Sequence, residues 1–571
     1  MKIPNTRGEQ VEFYAEVLQD CLSSRDARLE AYALNRRYYL FGQNDEGMVS
    51  PWNKIYSHID LVTSMLYASE GTRFVAELET GAPEHDYKRT HAFTKRVEED
   101  WHDMNTDAIC EQAVRWSLVY DSMFVKFKRW RNNEMHPFLV DPGSFGVYRE
   151  DVPMLDRQEA FVHVYYMTLS DFRRQFSLHP DLDRLVRDAS PIGQRKDIAT
   201  EMPAILDRIV AANQYPLSSP TMIGEANISL TGAGFNDYKA KVSAPLVEMK
   251  ELWVWDDLLE DYRTVTVEGD QNLVYDRQNI FMPRVKGNPF APEHGFVQFC
   301  PNPQYDYFWG ISEVSRLIRL QEKRNERMND IQIQLKKMVY PPVGISGTGA
   351  LEDKIEALMD PRGIVSLGDP STKVERFEVQ IPKDVYEDVK QLDAMFDEMS
   401  GLTNVTQGRG EAGVRSAGHA NKLANLGSTR PKKRALVIED NLEKAANLTA
   451  KHIFLDEPDE LEDDDKQPFL AAQLTPKFRM KIDAHSNSPI FAENQKEDAQ
   501  VLLKAKAITR KRFVQMMAPP MQEQIVRDLE DEIMPEEKAA AEAKQQLEMA
   551  KVNQQNPNQA KGQVVPLQGA R

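Results

Sequence analysis

At 571 residues, with 41% hydrophobic and 9% aromatic content, the chain is too long for a single core and should divide into three or four units. The formal net charge of −18 excludes adhesion of the whole surface to nucleic acid, because phosphate binding needs clustered Lys and Arg. Cys21, Cys110 and Cys300 form no C-x-x-C pair and read as three buried thiols in a reducing compartment, with neither a zinc nor a redox motif. The opening Met1-Lys2-Ile3-Pro4 carries no apolar signal core and no run of about 18 apolar residues occurs, so a cytosol-like environment without membrane contact is expected.

In chain order, residues 9–39 read as one helix, with Val11, Tyr14, Ala15, Leu18 and Leu22 spaced three and four apart. Arg25, Arg28, Arg36 and Arg37 are expected on its solvated face. After a break at Gly42, residues 54–67 form a second helix and residues 72–80 alternate as a strand. Helices follow at 86–103 and 106–120, the latter with Thr106 as its N-cap and Ala113, Trp116 and Leu118 in its buried stripe. From Met123 the period changes to two, giving strands at 123–130, 137–141 and 159–166, with a tight turn at Asp141-Pro142-Gly143. Helices are predicted at 170–176 and 201–213, a loop at 216–234, and strands at 246–256, 262–268 and 272–282.

Two helical runs, 311–337 and 382–400, then bracket a short insert opened by Pro341-Pro342. The glycine-rich loop 401–418 follows, with five glycines (Gly401, Gly408, Gly410, Gly413 and Gly418) free to act as hinges. Residues 419–454 read as a long helix kinked near Ser428, where Gly427 and Pro431 interrupt it. An acidic loop at 456–465 lacks the ligand spacing of a calcium site. A strand at 477–484, several helices between 492 and 553, and a disordered tail at 554–571 complete the chain. No repeat of fixed period is visible.

The search for reaction chemistry is negative. Gly344-Ile-Ser-Gly347-Thr-Gly349 is followed by Ala350 where a phosphate-binding loop needs Lys. There is no G-x-S-x-G, no H-E-x-x-H and no histidine pair at helical spacing among the predicted helices. No enzyme, cofactor or metal is expected. The first of the two central helices has a broken apolar stripe (Leu317, Leu320, Met328, Ile331, Leu335, Met338) interrupted by the polar run 321–327. So narrow a stripe does not suit a core helix; it suits an ordinary amphipathic surface helix or one stave in a ring of like helices.

The order of these elements resembles the portal proteins, the head-to-tail connectors of tailed bacteriophages. The matching run is W-G-x-S-x-x-x-x-L-x-x-L-Q-x-x-x-N at residues 309–325, followed by Pro341-Pro342 and the helix-ending Ser400-Gly401-Leu402. The resemblance covers most of residues 1–455 in element order; the later helices match by position alone. It implies a mixed α+β, multidomain, ring-forming fold. Residues 1–308 would be an α/β wing, 309–337 and 382–400 paired stem helices, and 338–381 a small α/β clip. Residues 401–418 would be a tunnel loop and 419–455 a kinked helix joining wing to crown. Residues 456–488 would be an acidic loop and a strand returning to the wing, 489–553 a helical crown, and 554–571 a disordered tail.

The resemblance further implies a homododecamer at one capsid vertex of the virion, assembled in the host cytoplasm, through which double-stranded DNA is packaged and ejected. Its partners would be the terminase, which supplies the ATP hydrolysis, the major capsid and scaffolding proteins, and a tail adaptor. An acidic channel wall would let DNA slide. Within it, Gln407, Arg409, Arg415 and Ser416 of the loop would touch DNA. Lys323, Arg324 and Arg327 of the stem would touch DNA or pair between subunits with Glu322 and Glu326. The rival readings are another ring-forming virion protein, such as a tail adaptor or minor capsid protein, and a DNA-processing enzyme.

Overall fold

The computed structural model describes residues 1–42, 53–68, 72–79, 81–129, 135–177, 179–188, 246–269, 272–339, 382–400, 429–456, 459–463, 466–483 and 499–517. It also describes the short strands at 225–227, 239–241, 343–346 and 373–376 and residues 525 and 529. The chain is mixed α+β with several sheets and divides into two compact units, Met1–Ile490 and Phe491–Arg571.

The first unit opens with two helices in place of the single one predicted, α1 (Arg7–Asp26) and α2 (Leu29–Phe41). The break at Ala27-Arg28 turns Arg28 inward, where its guanidinium pairs with the buried Asp121 carboxylate and lies 4.8 Å from the Trp309 ring centre. The expected solvated arginine face is therefore wrong: Arg25 donates from Nε to the Gly143 carbonyl at 2.6 Å, and Arg36 is buried against the Trp116 ring. A guanidinium carries five donors and an apolar stem, so it satisfies buried acceptors that a helical-wheel reading cannot see.

α3 (Lys54–Leu66) begins at Asn53, whose side chain accepts from the Tyr56 N–H as an N-cap. β1 (Phe74–Leu78), α4 (Glu84–Asp103) and α5 (Thr106–Val119) follow. Thr106 is not the cap of α5 as expected; it is the first helical residue, and Asn105 in a left-handed conformation (φ 53°) precedes it. The short polar side chain of Asn tolerates that conformation better than Thr.

β2 (Met123–Arg129), β3 (Met135–Val140), β4 (Phe145–Val147) and β5 (Ala160–Thr168) come next, then the short α6 (Leu169–Gln175) and α7 (Leu182–Asp188). At the Asp141 turn the side chain accepts from the Gly143 N–H at 2.7 Å, and the chain passes there from one sheet to another. The predicted loop at 216–234 holds β6 (Glu225–Asn227), paired with β7 (Lys239–Lys241); the helix predicted at 201–213 lies outside the described residues.

β8 (Leu246–Asp256), β9 (Asp261–Glu268) and β10 (Asn272–Gln278) complete an antiparallel five-stranded sheet of order β10-β9-β8-β5-β4. β11 (Phe296–Phe299), which the sequence reading missed, joins β2 and β3 in a three-stranded sheet. One face of the larger sheet is covered by α1, through Tyr14, Val17, Leu18 and Cys21 against Val162, Val164, Leu252, Val254 and Val265. On its other face Phe161 and Trp253 stack, and Phe296 of the smaller sheet meets both edge-on. In the same layer Lys126 donates to Glu251 at 2.6 Å, while its ammonium lies 3.4 Å from His163 and over the Phe296 ring. The pair closes a buried charge that would otherwise be costly.

α8 (Glu313–Val339) and α9 (Lys383–Ser400) bracket the antiparallel strands β12 (Val343–Ser346) and β13 (Lys373–Arg376). α10 (Thr429–Asp456) carries Pro431 in its first turn, where a missing N–H costs nothing; the predicted kink near Ser428 lies outside the described residues. The acidic segment is a hairpin where a loop was expected: β14 (Glu460–Glu462) pairs with β15 (Pro468–Leu470). β16 (Phe478–Ile482) then pairs antiparallel with β1, from Phe74 opposite Ile482 to Leu78 opposite Phe478. α10 holds this strand through Asn447, which donates to the Met480 carbonyl at 3.1 Å and accepts from its N–H at 2.9 Å. All three cysteines are free and buried, as predicted.

The second unit is described in part, and its described residues include a helix at Arg510–Met517.

Candidate functional site

The candidate site is the pair α8 and α9 with the segment that leads into it. Each residue of the 309–325 run has a mechanical reason to be there. Trp309 is fully buried and donates from Nε1 to Glu150 at 2.9 Å. Gly310 has no room for a side chain: a Cβ would stand 2.5 Å from Cys300 Sγ and 2.6 Å from the Asp121 carbonyl oxygen. Ser312 accepts from the Ser315 N–H at 3.1 Å, capping α8, and donates to the Val119 carbonyl at the end of α5. Leu317 is buried.

Gln321 and Asn325, one turn apart, are buried and linked by a hydrogen bond of 2.8 Å. Gln321 accepts from the Lys54 N–H at the start of α3 (3.2 Å), and Asn325 donates to the Gly42 carbonyl at the end of α2 (2.7 Å). The polar run that argued against a core helix is thus what lets the first half of α8 be one. It supplies partners to backbone groups that two other helix ends leave unsatisfied.

Glu313 stands at the base of α8 with its carboxylate 2.7 Å from Arg434 Nη2 of α10, 3.3 Å from Asn302 Nδ2 and 3.8 Å from His58 Nε2 of α3. Burial pushes its pKa up, but the neighbouring His58 imidazole and the charge and hydrogen bond of Arg434 outweigh that and hold it below the usual carboxylate range. A buried charge so surrounded ties α3, α8 and α10 to one point.

Lys54 performs the same task for α9. Its ammonium lies 2.9 Å from the Asp393 carbonyl oxygen and 3.2 Å from both the Asp393 and Asp397 carboxylates, and over the Phe396 ring. Arg324 reaches Asp393 at 2.9 Å and Arg327 reaches Asp388 at 2.7 Å, an order of pairing that makes the two helices antiparallel. Against the raising effect of partial burial, Arg324 and Lys54 keep Asp393 below its ordinary pKa.

Of the three stem cations expected to face DNA or a neighbouring subunit, Arg324 is buried against Asp393, Arg327 is exposed and pairs with Asp388 of the same chain, and Lys323 is exposed. Glu322, expected to pair between subunits, accepts from the Tyr38 hydroxyl. Gln407, Arg409, Arg415 and Ser416, and the hinge glycines Gly401, Gly408, Gly410, Gly413 and Gly418, lie outside the described residues. The sequence reading missed Lys54, Glu313, Asp393 and Arg434. The available signal was Gln321 and Asn325 at i, i+4 on the side of α8 that carries Leu317, a spacing that asks for a polar partner.

The apolar stripe also divides. Leu317 and Ile331 are buried, whereas Ile333, Leu335, Met338 and Val339 at the far end of α8 are exposed, as are Tyr386, Met395 and Met399 on α9. Among the described residues no His, Cys, Asp and Glu group is arranged to hold a metal ion, and no helix is long and apolar enough to cross a membrane. No protein-family model matches the chain, and no curated protein matches its sequence.

Proposed function

We propose that the chain is the subunit of a portal-type ring, a channel through which a tailed phage packages and ejects double-stranded DNA. The observation that carries this reading is the helix pair. Its 27-residue and 18-residue members are antiparallel, bracket a two-stranded insert, and are rooted in an α/β body at one end by the 309–325 run. The longer helix spans roughly 40 Å. Beyond its root it exposes apolar side chains that a lone soluble chain has no use for. Copies set side by side would cover them and form a wall, with the insert at one end as a docking point for a tail adaptor. The chain is a structural element in this reading; the terminase supplies the hydrolysis, and no cofactor is called for.

Native mass spectrometry of the purified protein tests the assembly. Twelve chains of 65.4 kDa give a closed ring of about 785 kDa. A chain that stays monomeric at every concentration overturns the reading, and a ring without a central opening in axial images points to another virion protein. DNA contact is tested separately at the loop: replacing Arg409 and Arg415 by Ala lowers packaging or retention of DNA if those side chains meet phosphates.

A further inference from the structure

The sheet of β1 and β16 has only two strands, so each strand has one outer edge. Along β1 the ladder uses alternate positions: Asp483 donates from its N–H to the Arg73 carbonyl at 2.9 Å, and Glu79 from its N–H to the Lys477 carbonyl at 3.0 Å. The N–H groups of Phe74 and Ala76 therefore point away from β16. α4 receives both: Phe74 donates to Glu98 Oε1 at 2.8 Å and Ala76 to Thr94 Oγ1 at 3.2 Å. On the opposite edge α10 receives the N–H of Met480 at Asn447 Oδ1 (2.9 Å) and that of Ile482 at Glu443 Oε1 (3.4 Å). Each helix thus matches residues four apart to strand positions two apart. The spacings agree because four helical residues rise about 6 Å and two strand residues about 6.8 Å.

We infer that Thr94 and Glu98 shut β1 as a strand acceptor, keeping its outer edge from pairing with the same strand of a second copy. An open edge is a template for another chain, and a two-stranded sheet has two of them. Other edges of this molecule are blunted by proline: β3 carries Pro137 and β15 carries Pro468, neither of which has an N–H to offer. β1 and β16 have no proline, and the four helix side chains take that place. The strand refused is that of a second copy, because β1 is on every chain and suits the pairing. Phe74 and Val75 favour strands, Glu77 is the one charged residue of β1, and Val75 is already 37% exposed. Two copies of β1 laid antiparallel by their outer edges would use the N–H groups that α4 now receives. The inference does not rest on the ring-subunit reading; it holds for a chain in any assembly that sets copies side by side.

Aggregation of the full-length protein tests this. Thr94→Val with Glu98→Leu removes both acceptors of β1 at similar side-chain bulk. Val97→Ala, on the buried face of the same helix, lowers stability by a cavity and leaves the acceptors in place. At urea concentrations that give the two variants equal unfolded fractions, the double variant should form thioflavin-T-positive aggregates about tenfold faster, with hydrogen exchange at Phe74 and Ala76 faster by a similar factor. Adding Ala76→Pro to the double variant should slow the aggregation again. Position 76 gives no N–H to the β1–β16 ladder, and a proline there cannot receive a strand. If the double variant does not fold, Thr94→Val alone is read against the same reference. Equal aggregation rates in the double and reference variants overturn the inference, because the two side chains then only fasten α4. Aggregation that Ala76→Pro leaves unchanged also overturns it, because another edge is then the acceptor. The ring reading is decided separately, by the mass of the wild-type assembly.

Discussion

Gly310 marks the place where the body ends and α8 begins, and its requirement is spatial. With a sulfur and a carbonyl oxygen in the volume a methyl would fill, Gly310→Ala should destabilise the fold by about 1–3 kcal/mol, seen as a lower denaturation midpoint. Two histidines, His294 buried and His163 half-buried, disfavour the folded state in acid. Burial, reinforced by the Lys126 charge, pushes His163 down to about 3; burial pushes His294 down to about 4, against the pull of Asp156. In the unfolded chain each takes up a proton near 6.5. At these two sites the unfolded state therefore binds more protons below that pH, a contribution to stability that is lost on acidification at up to about 1.4 kcal/mol per pH unit for each group. Asp121, which burial raises to about 7 against the Arg28 charge, and Asp141, also raised by burial, act in the opposite sense. Glu251 adds a later loss. Although burial raises it, Lys126 holds it down to about 2, so its contribution is complete above about 4.5 and vanishes as pH falls toward 2. In urea midpoints measured from pH 7 to pH 4.5, His294→Asn, which keeps an acceptor for the Phe296 N–H, should lose less stability than the parent on acidification, by up to about 1.4 kcal/mol per pH unit.

At the scale of the element, α8 is two helices in one. Its first half is rooted by buried polar groups and its second half is free. Asn325→Ala removes the donor to Gly42 and leaves that carbonyl buried, a loss of about 1–3 kcal/mol in the stability of the chain. Ile333→Ser on the exposed half should change the midpoint of the unassembled chain by less than about 0.5 kcal/mol. Comparable losses at both sites in the unassembled chain would overturn this division. The sequence marked the helix, its length and its polar interruption. It could not say that the interruption is the anchored part, because Gly42 and Lys54 stand more than 260 positions away. The same blindness produced the error over Arg28, whose partner Asp121 lies 93 residues on. Burial of a polar side chain is decided by what it meets, and a periodicity cannot show that.

At the scale of the molecule, the first unit is closed by its own far ends. β1 lies near the start, β16 near residue 480, and the pairing brings them together under α10. A chain ending at Ile490 should keep its secondary structure and a cooperative transition. A chain ending at Leu474 loses β16 and should expose β1 as an open edge, with aggregation in light scattering as the measurable outcome. Equal behaviour of the two truncations would refute the closing role of β16. The long separation also explains why a reading in chain order could place a strand at 477–484 without knowing its sheet.

Local signals alone determined the mixed α+β class, most helix and strand positions, the buried thiols and the existence of a helix pair around an insert. Spacing of three and four or of two is written within a dozen residues and needs no partner to be legible. The tertiary structure alone decided which charges are paired within the chain and which are left exposed without an ion-pair partner among the described residues. Arg324 and Arg327 look the same in sequence as Arg316 and Arg319. They differ because Asp393 and Asp388 come back alongside on α9, and a Coulomb pair exists only where the fold brings both charges within a few ångströms.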